Sequence, residues 1–172
     1  MYRLKYRLYR SPENMKKFLL KNNDGSNFDL YNYQGSSYLV LIFFRGAWCG
    51  HCKKQLQEIN NHFEEFEKLN IKLLAISSDT SFKSSLLKTF LRLKFPVLSD
   101  ANLEMIEHFN LKTVHNNQIV SRPAILIFSS EHKKIIEHVS ENYDERVDTT
   151  ALINEIKQFK TAKTVFASTS PN

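Results

Sequence analysis

"YLVLIFFRGAWCGHCKKQLQEI", Tyr38–Ile59, joins an apolar run to a short polar turn and then to a helical pattern. Tyr38 to Phe44 carries no charged residue, as a central strand covered on both faces requires. Beyond the turn, Leu56, Ile59, Phe63, Phe66 and Leu69 recur at intervals of three and four. That spacing predicts one helix with a single buried stripe. "IKLLAIS", Ile71–Ser77, reads as a second central strand. A strand, a helix and a strand in this order predict a parallel pair with a right-handed crossover.

Working outward, "NNDG" (Asn22–Gly25) separates two short apolar stretches and predicts an N-terminal β-hairpin. Asp79, Thr80 and Ser81 offer capping side chains before a helix expected to bury Phe82, Leu86, Leu87 and Phe90. "FPVLSD" (Phe95–Asp100) is a short extended piece, followed by a helix over Leu103–Phe109. "PAILIF" (Pro123–Phe128) and "KKIIEHV" (Lys133–Val139) are strands joined by a polar turn. Val147–Phe159 predicts a closing helix with Leu152, Ile153, Ile156 and Phe159 inward. The pattern adds up to an α/β sandwich: a mixed central sheet with helices on both faces. Residues 1–160 are expected to form one domain, and 161–172, which lose periodicity, a mobile tail.

Of 172 residues, 42% are hydrophobic and 12% aromatic, enough for a sizeable core. No apolar run approaches the roughly 20 residues that span a bilayer. "MYRLKYRLYR" has no apolar stretch behind its charges, so no signal peptide is read and a cytoplasmic location is expected. The net charge of +6 is scattered except at Arg3, Lys5, Arg7 and Arg10. These alternate with Tyr2, Leu4, Tyr6 and Leu8, the period of an edge strand guarded by charge or of a basic patch for an acidic partner. Neither nucleic acid nor membrane is expected as a partner.

Cys49 and Cys52 are the chain's two cysteines. If a helix starts near Gly50, both sit in its first turn, where unpaired N–H groups and the helix dipole favour a thiolate. Their spacing puts both sulfurs on one side of that turn, close enough to bridge. In a reducing compartment such a bridge is transient and catalytic. The plainer readings are two small buried hydrophobes, or half a zinc site that His51 and His62 do not complete at a usual spacing. The strand–turn–helix placement favours a redox pair, and neither a metal nor a cofactor is expected.

"WCGHC" resembles the active site of the thioredoxin superfamily, in the Gly-His form of protein disulfide isomerases. The wider frame is similar to the peroxiredoxin (alkyl hydroperoxide reductase/thiol-specific antioxidant) branch. It runs through "NDG", "FDLYNYQG", "LIFFRGAWCGHC", "LLAISSD", "FPVLSD" and "SRPAILIF" over about Phe18 to Phe159. The resemblance implies a thioredoxin-like fold and an enzyme, a thiol–disulfide oxidoreductase with Cys49 the exposed nucleophile and Cys52 its resolving partner. Its rival is a thiol-dependent peroxidase in which Cys52 attacks the peroxide and Cys49 resolves the sulfenic acid. A redox-controlled binding module is a third reading. The implied partners are a protein or small-molecule disulfide, or a peroxide, and a thiol donor of thioredoxin or glutathione type.

Residue by residue, the carry-over is uneven. Peroxiredoxins place a proline seven residues, and a Thr or Ser three residues, before the peroxide-attacking cysteine. Counted from Cys52, those positions hold Arg45 and Cys49. Arg122 matches the arginine before a late strand, and Pro123 the cis-proline whose exposed backbone pairs with an extended substrate. Phe43 stands where thioredoxins carry a buried acid. His51 is a candidate for stabilising a Cys49 thiolate, Arg45 and Arg122 for lowering a thiol pKa or holding a peroxide oxygen. Trp48 is expected as a hydrophobic shelf beside the site. His108, His115, His132 and His138 are expected on the surface.

Overall fold

The structure is a computed structural model that describes residue 18 and residues 20–22, 24–142 and 144–168. The basic stretch from Arg3 to Arg10 lies outside the described residues. The hairpin read around "NNDG" is present as β1 (Leu20–Lys21) and β2 (Asn27–Phe28), with Leu20 opposite Phe28. A short helix α1 (Leu30–Gln34) follows, capped by Asp29, whose side chain accepts the Asn32 N–H.

The central strand β3 (Tyr38–Phe43) is buried along its whole length. Leu39, Leu41 and Phe43 face one core and Val40, Ile42 and Phe44 the other, which explains the unbroken apolar run. β3 pairs in parallel with β4 (Ile71–Ser77), and β4 with β5 (Val97–Ser99). On the other side β3 pairs antiparallel with β8 (Ala124–Phe128), which pairs with β9 (Lys134–Val139). The sheet order β2-β1-β5-β4-β3-β8-β9 is the expected mixed sheet. A separate two-stranded ribbon, β6 (Lys112–His115) and β7 (Gln118–Ser121), stands apart from it. Its turn residues Asn116 and Asn117 both have positive φ, as a two-residue hairpin turn demands.

One sheet face is covered by α2 (Gly50–Asn61), α3 (Phe63–Lys68), α4 (Ser81–Leu91) and α6 (Thr149–Ser168). The other face is covered by α1 and α5 (Glu104–His108). Three expectations need correction here. The single helix over Leu56–Leu69 is two, because the chain breaks at His62; the buried stripe nevertheless continues through Leu56, Ile59 and Phe66. Helix α4 buries Ser84, Leu87 and Leu91 and turns Phe82, Leu86 and Phe90 to solvent, at 70%, 55% and 78% exposure. The last helix runs on to Ser168, past the point where the apolar periodicity ends, so most of the stretch read as a tail is helical.

Candidate active site

The helix α2 begins at Gly50 with Cys49 as its N-cap, the arrangement anticipated from the sequence. Cys49 has extended backbone (φ −80, ψ 113), which leaves its sulfur free to turn back over the first helical turn. There Cys49 Sγ accepts the Cys52 N–H at 3.4 Å and the Cys52 S–H at 2.7 Å. No disulfide joins the two cysteines. Neither is exposed: Cys49 shows 3% of its surface and Cys52 1%, so the expected exposed nucleophile is recessed. The reason is that the turn packs into the core shared with Phe44 and Leu56.

Hydrogen bonding separates the two sulfurs chemically. The bond from Cys52, then the helix N–H and the positive charges of Arg146 and Arg45, hold Cys49 well below the usual thiol range, at about 5. Cys52 moves the opposite way, raised first by that same bond, in which it is the proton holder, and then by burial. One sulfur is therefore a thiolate at neutral pH and the other keeps its proton.

The sequence reading missed the cation nearest the sulfurs. Arg146 Nη2 lies 3.2 Å from Cys52 Sγ and 3.9 Å from Cys49 Sγ. It comes from the loop between β9 and α6, two residues before Asp148, whose carboxylate caps α6 by accepting the Ala151 N–H. No local pattern marks an arginine that acts 94 residues away from its partner. Arg122, expected at the site, instead gives Nη2 to the Asn110 carbonyl at 2.8 Å and its backbone N–H to Leu111. It fastens the chain after α5 to the end of β7. Pro123 follows a trans bond, since no cis peptide occurs among the described residues. Its carbonyl already accepts the Ser140 N–H, so that backbone edge is taken.

Arg45 and Trp48 lie against each other in the turn before α2. Arg45 is buried, its backbone hydrogen-bonds Cys52, and its guanidinium sits 4.7 Å over the Trp48 ring. Trp48 is 46% exposed and precedes Cys49 in the chain. Its indole crosses Gly46 so closely that a Cβ there would lie 2.6 Å from Nε1. Asp79 holds the turn by accepting the Ala47 N–H at 2.7 Å. A cavity of about 210 Å³ opens here, lined by Arg45, Trp48, Asp79, Lys83 and Ile119 among others. His51 is exposed in the first turn of α2.

The remaining histidines are not bland surface residues. His115 stacks on Trp48 with ring centroids 4.5 Å apart and planes 5° from parallel. His132 stacks on Tyr31 and meets Gln34 Oε1 at 2.9 Å. His138 is buried against Glu155 at 2.7 Å, tying β9 to α6, and His108 packs on Phe18 and Phe109. Apart from Phe109, which adjoins His108, these partners are distant in the chain, and no local pattern marks them. Among the described residues, no three His, Cys, Asp or Glu side chains gather into a metal site. No helix among them is long and apolar enough to cross a membrane.

Comparison with known proteins bears on the family and the fold. The chain is 30% identical over 137 residues to an alkyl hydroperoxide reductase C of Buchnera aphidicola subsp. Schizaphis graminum, covering 75% of this chain and 67% of the relative. It is 22% identical over 134 residues to a thiol-disulfide oxidoreductase ResA of Bacillus thuringiensis subsp. konkukian, covering 76% and 70%. The fold matches the crystal structure of peroxidoxin BcpB from Mycobacterium tuberculosis with a TM-score of 0.70 at 21% identity, over 77% of this chain and 88% of that one. Residues 12–139 match the AhpC/TSA family, and with that span the chain belongs to it.

Proposed function

We propose that this protein is a thiol–disulfide oxidoreductase in which Cys49 attacks and Cys52 resolves. The observation that carries this reading is the opposite displacement of the two sulfurs, Cys49 toward thiolate and Cys52 away from it. A thiolate, not a thiol, is the nucleophile in exchange. The Cys49 thiolate attacks one sulfur of a substrate disulfide, forming a mixed disulfide and expelling the other half as a thiolate. Cys52, 2.7 Å away, then attacks Cys49 Sγ, passing its proton to the second leaving sulfur. The substrate leaves as two thiols, and the protein holds a Cys49–Cys52 disulfide. An external thiol donor returns it to the dithiol, and a reducing compartment such as the cytosol suits that cycle.

The deciding experiment pairs two variants. Cys52→Ser should trap a stable mixed disulfide at Cys49, because no resolving thiol remains. Iodoacetamide at pH 6 should label Cys49 and spare Cys52 in the reduced parent. Labelling of Cys52 first would reverse the roles.

One observation favours a second reading, a thiol-dependent peroxidase. Arg146 lies closer to Cys52 than to Cys49, and a cation there would support negative charge on Cys52 as it displaces hydroxide from a peroxide. The similarity to an alkyl hydroperoxide reductase points the same way. On that reading Cys49→Ser would form a sulfenic acid on Cys52 in a saturable reaction with peroxide. The raised pKa of Cys52 ranks this second.

A further inference from the structure

Among the described residues the ribbon β6–β7 pairs only with itself, yet it delivers His115 to the cysteine turn. It is held by buried Leu111 and Val120 and, nearer its turn, by the Ser78 hydroxyl, which donates to the Ile119 carbonyl. At its far end His115 does two things at once. Its ring lies flat on Trp48, and its Nδ1 stands 2.6 Å from Arg45 Nη2. A guanidinium has only donors, so Nδ1 must be the acceptor and the ring proton sits on Nε2. His115 thereby offers Arg45 a lone-pair acceptor.

Arg45 matters to the sulfurs through two connections that differ in kind. Its backbone hydrogen-bonds Cys52, which the strand end fixes regardless of the side chain. Its guanidinium acts on Cys49 through space, and that contribution depends on where the side chain is held. An unrestrained arginine side chain next to an exposed indole would spread over several rotamers, some of them in water. The His115 acceptor and the Trp48 face each restrain it.

We propose that His115 is a positioning residue for the attacking cysteine: the β6–β7 ribbon uses it to hold the Arg45 guanidinium over Trp48, in the turn that precedes Cys49. This rests on the reading of Cys49 as the nucleophile. It assigns the ribbon a part in tuning the site, although it contributes nothing to the main sheet.

The test uses the full reduced chain and follows iodoacetamide alkylation of Cys49 against pH. His115→Ala should lower the rate about two- to three-fold at pH 5, with the curves converging above pH 8 where Cys49 is fully ionised. His115→Gln keeps an acceptor oxygen and should return most of the parent profile. His115→Phe keeps the aromatic stack without the acceptor and should behave like His115→Ala. Trp48 is the single tryptophan, so its emission should change in His115→Ala and stay near the parent in His115→Phe. Alkylation profiles of the Ala and Phe variants that superimpose on the parent would overturn the proposal. Alkylation needs no disulfide substrate, so failure of disulfide turnover would sink the oxidoreductase reading and leave this one untouched.

Discussion

Helices α2 and α4 each follow a strand of the same parallel trio and pack on the same sheet face, yet they present opposite surfaces. In α2 the residues spaced by three and four, Leu56 and Ile59, are fully buried, and the stripe continues into Phe66 of α3. In α4 the equivalent series Phe82, Leu86 and Phe90 faces outward, while Ser84, Leu87 and Leu91 face the core. Helical periodicity thus establishes that an apolar stripe exists. It does not say which of two stripes meets the sheet, because α4 carries both. A serine inside and a phenylalanine outside is the reverse of what burial free energy alone favours.

The largest expected effect tests that contrast directly. Leu56→Ala should cost about 2–5 kcal/mol, because a fully buried leucine leaves a cavity. Phe90→Ser should change stability by no more than about 0.5 kcal/mol, as solvent-exposed substitutions do. Urea unfolding of both variants compares them under one condition. A cost for Phe90→Ser approaching that of Leu56→Ala would mean the outer face of α4 is covered in solution.

The two helices should also differ in how pH acts on them. Cys49 is lowered to about 5 from an ordinary 9.0, so the folded protein binds this proton less tightly than the unfolded chain. The stability it contributes is complete above the unfolded value and is lost as pH falls toward 5. The raised Cys52 works against stability only above its unfolded value, so it does not disturb the window below. The Tm difference between the reduced parent and Cys49→Ser should therefore widen steadily from pH 5 to pH 8. The difference for Leu87→Ala in α4, where no thiol titrates, should stay flat. A flat Cys49→Ser difference would remove the thiolate from the site.

Crowding at the start of α2 gives the next effect. Gly46→Ala would place a Cβ 2.6 Å from Trp48 Nε1 and 3.3 Å from Asp79 Oδ2. The indole must move, at about 1–3 kcal/mol, as overpacked positions do. A shift in Trp48 emission in this variant checks it. An unshifted spectrum with parental stability would show that Trp48 is not held against this turn.

Sequence order explains what could be read in advance. The strand, the turn and the capped helix lie within one local stretch, so the cysteine pair, Arg45 and Trp48 were all legible from spacing. The β6–β7 ribbon had a readable signal in Asn116 and Asn117, a two-residue turn with both φ positive, but its polar strands hid it. His115 and Arg146 left no trace. Each touches the site across 67 to 97 positions, a separation that no local pattern records. Only tertiary closure brings them there.

The two arginines make the smallest and sharpest comparison. Arg122 was chosen from its place before a late strand; Arg146 stands at the sulfurs. Removing Arg146 as Arg146→Met deletes the larger of the two cationic contributions acting on Cys49. Its apparent pKa should rise by about one unit, equivalent to ~1.4 kcal/mol, read from alkylation rates between pH 4 and pH 8. Arg122→Met should leave that profile in place and lose about 0.5–1.5 kcal/mol of stability with the bond to the Asn110 carbonyl. An alkylation shift produced by Arg122→Met and absent in Arg146→Met would exchange the two roles and restore the reading made from sequence order alone.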